Sequence, residues 1–467
     1  VAFDRRRRAL AAALVFLVTV IAMEAMSVAP ILPSIERDLG GIAWYGWVFA
    51  AFALAEIVAI PICGEWADRA NPAVPLAAGI GSFIAGLVVA SSAGSMPVLV
   101  GGRVLQGLGA GAVPAIAYVC VGRGFPEAER PRMFALMSTA WVVPSVVGPA
   151  AASFLVEHVG WRWVFGGLIP VTAVAGGLAL APVSWLGRPD PAGSPDRRSA
   201  TTAPALVLVV GATAMIAGFQ QHAPAAIVPL CVVGLALTVA AFARLTPSGT
   251  LRLAAGVPAA VLLRGALTFA FFGAEAFLPL TLTDVRGTST AYPGVVFACS
   301  AFAWTGASWL QARWIDRLGP RLLFRSGLAT VAVAIGMLLA LAATAVPVWT
   351  SILAWSLGGF GIGLAYSPLS LVVLARAEPG REGFASAAVQ LSDSLGVAVG
   401  TGLGGAVVAV AERWGRDLAS GIGVVFAATA VLALAAGVAG RRVPTSVSET
   451  SVATPGVGAV AAAASGV

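Results

Sequence analysis

Gly64-Glu65-Trp66-Ala67-Asp68-Arg69 closes one apolar stretch of the chain. Ala312-Arg313-Trp314-Ile315-Asp316-Arg317-Leu318-Gly319-Pro320-Arg321 closes another, with its Asp-Arg pair 248 residues further on. Two more landmarks recur in the same order. Leu32-Pro33 returns as Leu278-Pro279, at an offset of 246. Gly107, Gly109 and Gly111 return as Gly359, Gly361 and Gly363, at an offset of 252. Three landmarks at nearly one offset mark an internal duplication.

Each repeat is built from spanning helices. A bilayer core takes about 20 apolar residues per helix, and fourteen such stretches run from 9–33 to 418–440, among them 133–156, 291–312 and 322–345. Six spans fill roughly 186 residues of each repeat, so some 60 of the offset are inserted. The insertion fits a polar, Pro/Gly-rich linker at 187–203 and an extra pair at 204–220 and 224–243. Both Asp-Arg loops need the same side, so the insertion holds an even number of spans. The expected organisation is a six-helix bundle over 1–186, linker plus two helices over 187–252, a second bundle over 253–442 and a disordered tail over 443–467. Parallel repeats of this kind leave a binding site between the halves.

Composition fits that reading. The chain has 467 residues but only 49 charged ones, where a soluble chain would carry about 117. All 28 basic residues are arginine, which excludes a P-loop and lysine Schiff-base chemistry from this chain. Twenty-one arginines fall on the side of the N-terminus, five on the other, and two, Arg103 and Arg264, inside spans. That asymmetry predicts cytoplasmic termini and explains the net charge of +7 without nucleic acid. The apolar run from Ala9 to Pro30 is too long for a signal-peptide core and reads as a first spanning helix. Cys63, Cys120, Cys231 and Cys299 lack paired spacing, so neither a disulfide framework nor a metal site is expected.

Four acids lie within spans: Glu24, Glu56, Glu275 and Asp393. With Arg103 and Arg264 they would cost on the order of 15–20 kcal/mol if unpaired. Glu24 and Arg103 lie at matching depths, which predicts that they pair. Glu275 and Arg264 are eleven residues apart, so they share a helix face. A carboxyl group held in such surroundings can take up or release a proton near neutral pH.

These motifs resemble the major facilitator superfamily. The Asp-Arg loops are similar to its signature G-x-x-x-D-[RK]-x-G-[RK]-[RK], although Ala70-Asn71-Pro72 replaces the end of the first copy. Arg103-Val104-Leu105-Gln106-Gly107-Leu108-Gly109 resembles the R-x-x-Q-G-x-G motif of proton-coupled members. Glu24 to Ile35 is similar to the first-span motif of the fourteen-helix drug:proton antiporters, with Glu24 in place of aspartate. Gly148-Pro149 matches the fifth-span antiporter motif, and Gly160-Trp161-Arg162-Trp163 also resembles this branch.

The resemblance implies an all-α membrane protein of the major facilitator fold, two six-helix bundles plus two inserted helices. It implies a multi-pass transporter of the cell membrane rather than an enzyme, monomeric and without cofactor or metal. The expected activity is proton-coupled efflux of amphipathic small molecules by alternating access. Export of a lipid or an endogenous hydrophobic metabolite, or a non-transporting sensor, are the alternatives. Proton coupling is expected at Glu24, Arg103, Glu56, Glu275 and Asp393. Gating is expected at Gly64, Asp68, Arg69, Asp316, Arg317, Gly148 and Pro149. A cavity lined by Gln106, Arg264, Phe269, Phe272, Trp355 and Tyr366 is expected to meet substrate.

Overall fold

The computed structural model describes residues 4–67, 69–126, 129–188, 201–221, 223–343, 346–377 and 382–447. Among them there is no strand. The first half comprises α1 (Arg5–Leu39), α2 (Tyr45–Ala67), α3 (Ala73–Ser91), α4 (Met96–Gly124), α5 (Arg130–Thr139), α6 (Val142–His158), α7 (Arg162–Gly166) and α8 (Leu168–Ser184). A hairpin of α9 (Thr202–Phe219) and α10 (Pro224–Leu245) follows. The second half comprises α11 (Val257–Glu275), α12 (Leu278–Leu280), α13 (Tyr292–Ala342), α14 (Thr350–Arg376), α15 (Glu382–Arg413) and α16 (Leu418–Ala439).

Helix ends follow local chemistry. The Asp4 carboxylate accepts the Arg7 amide at 2.9 Å and caps α1. At the other end, Gly40 takes a φ of 67°, where a side chain would be strained, and its N–H donates to the Glu36 carbonyl.

Twelve helices among the described residues are long and apolar enough to cross a membrane. The expected count of fourteen separate spanning helices is therefore corrected, and the difference arises in two places. The stretch 133–156 is divided between α5 and α6, which are 10 and 17 residues long. The stretches 291–312 and 322–345 run together in α13, which has 51 residues. A straight helix of that length would reach about 77 Å, far beyond a bilayer core of about 30 Å. It bends at Gly319, whose φ of 73° and ψ of 159° are not helical. Asp316 and Arg317 thus sit at the end of the first arm of α13, exposed, rather than in a separate loop. Asp68 lies outside the described residues.

Glycines set the helix spacing. A methyl group at Gly107 would lie 2.9 Å from the Cβ of Ala55 on α2, and one at Gly111 3.0 Å from the Cα of Glu56. One at Gly109, on the opposite face, would lie 2.8 Å from the Phe83 amide of α3. The second half repeats this pattern. A methyl group at Gly363 would lie 2.8 Å from the Ala307 Cβ on the first arm of α13, and one at Gly361 2.9 Å from the Val331 amide on the second. Each central glycine faces the preceding helix of its repeat, and the outer two face the one before.

The halves meet where α2 packs on α15 and α6 on α13. The α9–α10 hairpin rests through α9 on both α2 and α15. Residues 443–447, expected within a disordered tail, are instead held to the second half. Arg321 donates to the Val443 carbonyl at 2.7 Å and Arg376 to the Val447 carbonyl at 3.1 Å.

Gly111→Val and Gly363→Val each insert side-chain atoms where backbone already sits. Each is expected to cost about 1–3 kcal/mol, read as a lowered Tm of the detergent-solubilised protein, with Gly64→Val, in open space, unchanged.

Candidate functional site

Two faces orient the site. The face bearing Arg5 to Arg8 and the ends of α4 and α14 is basic; the other is the far face. Arg103 follows the far-face start of α4 by seven residues, about 10 Å. Its Nη1 donates to the Glu24 carboxylate of α1 and, at 2.8 Å, to the Gln106 amide oxygen. Its Nε donates to the Val48 carbonyl at 3.0 Å, and its Cζ lies 4.3 Å from the centre of the Phe52 ring. The pair is sealed, with side-chain exposures of 3% and 1%. Glu24 Oε2 and Gln106 Nε2 are nevertheless left without partners among the described residues.

A second pair occupies the other half and the other depth. Arg264 follows the basic-face start of α11 by seven residues, again about 10 Å. It grips Asp393 of α15 with both arms, Nε to Oδ1 at 2.9 Å and Nη2 to Oδ2 at 3.2 Å. The Tyr366 hydroxyl of α14 donates to the same carboxylate at 2.6 Å, and the guanidinium lies over the Tyr366 ring at 3.0 Å. Arg264 also donates to the Tyr366 carbonyl at 2.6 Å and the Ser370 hydroxyl at 3.3 Å. Here the acid is open: Asp393 keeps 20% of its side-chain exposure while Arg264 keeps 4%.

The other two acids have neutral donors. Ser394 of α15 donates to Glu56 of α2 at 3.3 Å, a bond that crosses between the halves. The Trp355 indole donates to Glu275 at 3.2 Å. Glu275 thus meets α14, and the shared helix face with Arg264 does not bring those two together. α11 ends at Glu275, and the chain then runs through α12 and a π-helical turn at Thr281–Val285, a local departure common near functional sites.

Sequence reasoning expected an aromatic lining, and the structure divides it. Phe269, Phe272 and Tyr366 stay partly exposed, whereas Trp355 is fully buried and stacks on Phe271 at 4.7 Å. Trp304, which the motifs did not single out, joins the cluster 5.7 Å from Tyr366. Ser394 and Ser370 were likewise missed; nothing marks a serine until the acid beside it has been placed. Arg69 is exposed and 3.8 Å from Glu65.

Gly148 and Pro149 stand at the seam. Gly148 meets Met23 and Met26 of α1, and a methyl at Gly294 of α13 would lie 2.9 Å from the Pro149 carbonyl. Toward the far face the seam is tight: a methyl at Gly405 would lie 2.7 Å from the Gly46 backbone, and Tyr45 meets Phe277 at 5.6 Å. Arg37 lies 3.9 Å from Asp284 across it. The bond between Ser394 and Glu56 lies deepest, about 16 Å along α2 from the far face.

The profile of the Major Facilitator Superfamily matches residues 14–401 and, in a second alignment, 265–465. The chain belongs to this superfamily. A probable multidrug-efflux transporter of Mycobacterium tuberculosis is 28% identical over 430 residues, 86% of this chain and 88% of that protein. An uncharacterized MFS-type transporter of the same organism is 28% identical over 432 residues, but the chain spans only 62% of its length. Among solved structures, an auto-inhibited POT family peptide transporter superposes with a TM-score of 0.66 at 17% identity, over 93% of this chain and 97% of that one. The superfamily's fold thus accounts for the paired halves and for the many helices long and apolar enough to cross a membrane.

Removing one partner of a buried ion pair strands the other, at a cost of about 3–5 kcal/mol. Arg103→Leu alone is expected to unfold at a markedly lower temperature, and Glu24→Leu/Arg103→Leu to recover most of the loss. A double variant as unstable as the single one would show that the pair is held by packing rather than charge.

Proposed function

We propose that the protein is a proton-coupled exporter of amphipathic, cationic small molecules, working by alternating access. On this reading the chain crosses the cell membrane many times, with the basic face and both termini in the cytoplasm. The carrying observation is a charge mismatch. Four carboxylates within the spans face two arginines, and Glu56 and Glu275 have only neutral donors. An interior with that deficit favours proton or cation binding, and exchange of one for the other is antiport.

Glu24, Glu56, Glu275 and Asp393 then carry the protons, with Arg103 and Arg264 holding two of them in place. Substrate enters from the cytoplasm and meets Asp393 and Glu56. Phe269, Phe272 and Tyr366 receive its apolar part, and the buried Trp355 and Gln106 back the wall from behind. The far-face contacts described above support an inward-facing conformation. Gly148-Pro149 and the motif residues Gly64, Asp68, Arg69, Asp316 and Arg317 serve as the gating points of the exchange. The named function of the mycobacterial relative agrees with this reading.

Vesicles loaded with a pH dye test it. A fluorescent lipophilic cation is expected to drive proton movement through the wild type. Glu24→Gln and Glu56→Gln are each expected to lower that movement about tenfold or more, the loss of one pK unit of coupling. If no cation moves protons and Glu24→Gln transports normally, the antiport reading fails.

A further inference from the structure

The α9–α10 hairpin, inserted between the two repeats, is bolted to its surroundings at both ends. On the basic face, Thr202 at the start of α9 donates to the Glu65 carboxylate of α2 at 2.9 Å, a tie to the first half. On the far face, Gln220 closes α9 and turns both ends of its amide to the first half as well. Its Nε2 donates to the Ala43 carbonyl, in the turn before α2, at 2.7 Å, and its Oε1 accepts from the Trp47 indole of α2 at 3.0 Å. The second half reaches the same point from the end of α15. Arg413 donates to the Gln220 carbonyl at 2.8 Å and to the Gln221 carbonyl at 3.0 Å.

A helix leaves its last carbonyls without donors of its own and with a partial negative charge. At the end of α9 a guanidinium from the second half supplies both, so the tie is charge-assisted. Two other polar ties across the far-face seam are longer: Thr290 to Glu157 at 3.4 Å and Arg37 to Asp284 at 3.9 Å. Below this point α9 wedges between the halves. Ile216 is fully buried, and a methyl at Gly402 of α15 would lie 2.5 Å from its Cδ1 and 3.2 Å from the Ala50 Cβ of α2. The hairpin itself is close-packed. A methyl at Gly211 would lie 2.7 Å from the Thr238 amide of α10, and one at Gly234 2.6 Å from the Met215 amide of α9. Motion of α9 is therefore carried to α10.

We propose that the inserted hairpin is a far-face latch between the halves, with Gln220 as its positioning residue. Gln220 pins the end of α9 to the first half, and so holds the carbonyls of residues 220 and 221 where Arg413 of the second half binds them. When the far face opens, the two Arg413 bonds break and the hairpin stays with the first half, kept there by Gln220 and Thr202. This rests on the alternating-access reading and gives the inserted pair a mechanical part in it. The latch acts on one arrangement only: it stabilises the closed far face and makes no contact that would hold the open one.

Spin labels taken in pairs at positions 98, 228 and 349 test this in reconstituted vesicles. All three replace exposed residues near the far-face starts of α4, α10 and α14. While a lipophilic cation and a pH gradient drive turnover, the distance from 349 to 98 and that from 349 to 228 are expected to lengthen together. The distance from 98 to 228 is expected to stay fixed. Arg413→Gln is expected to raise the open-to-closed ratio of the 98 and 349 pair about threefold to tenfold, the effect of one or two lost hydrogen bonds. Arg413→Lys keeps a cation at the end of α9 and is expected to restore most of the wild-type ratio. Gln220→Leu is expected to raise the ratio too, and to broaden the distances from 98 to 228 although Arg413 is intact. A role in packing alone would lower the Tm of these variants without moving ratio or distances. The proposal is overturned if the hairpin label follows 349 rather than 98 in the wild type, or if Arg413→Gln keeps the wild-type ratio. If either happens while 98 and 349 still separate, the latch fails and the transport reading stands. If 98 and 349 never separate, both fail.

Discussion

A guanidinium buried in an apolar helix bundle has to find a carboxylate within hydrogen-bond reach, because leaving it alone costs more than the bundle can offset. This constraint acts twice here. Arg103 binds α4 to α1 and, through Val48 and Phe52, to α2. Arg264 binds α11 to α15 and α14. Each pair fixes the rotation of at least three helices about their axes, which nonspecific apolar contact in lipid would leave loose. The pairs differ in how they close. Glu24 is sealed behind its arginine, whereas Asp393 is still reachable.

The pairing of Glu24 with Arg103 was readable because both residues lie in spans whose direction and depth follow from length alone. The partner of Arg264 was not. Asp393 is 129 residues away, and the periodicity of α11 marked only Glu275. Glu275 shares a face with Arg264 but lies eleven residues, about 16 Å, further along the helix, where it meets Trp355 instead. Helix periodicity carries no information about where a helix stops being one. The count of spans failed for that reason: Gly319 turns the chain within one continuous helical run, and Ala140-Trp141 interrupts another. Composition locates apolar stretches, while hydrogen bonding decides how they are divided.

Close approach of backbones suits the seam between halves to the two arrangements that the proposed alternating access requires. Gly46 and Gly405 touch main chain to main chain, as do Gly294 and Pro149. Such contacts bring little side-chain interlocking, so they can part without dismantling a core. The cores themselves lie within each half, where the triple glycines draw α4 against α2 and α3, and α14 against both arms of α13. Rigid halves joined by a smooth seam are the physical requirement for rocking motion.

The repeat also shows where packing ends and chemistry begins. The glycines at 107, 109 and 111 and those at 359, 361 and 363 make equivalent contacts, so the duplication has kept what helix spacing demands. The charges have not been kept. Trp355 stands 252 residues after Arg103, at its position in the second repeat, and donates an indole N–H to Glu275 where Arg103 offers a full charge to Glu24. Arg264 and Asp393 place the second pair toward the basic face, while the first lies toward the far face. Identical halves related by an axis along the membrane normal would hold both charge pairs at one depth. On the proposed coupling, unequal charges at unequal depths would give each side of the bundle its own affinity for protons. Differential affinity between two states is what lets a ligand move an equilibrium, so the asymmetry laid over the duplicated frame is the part on which the proposed coupling depends.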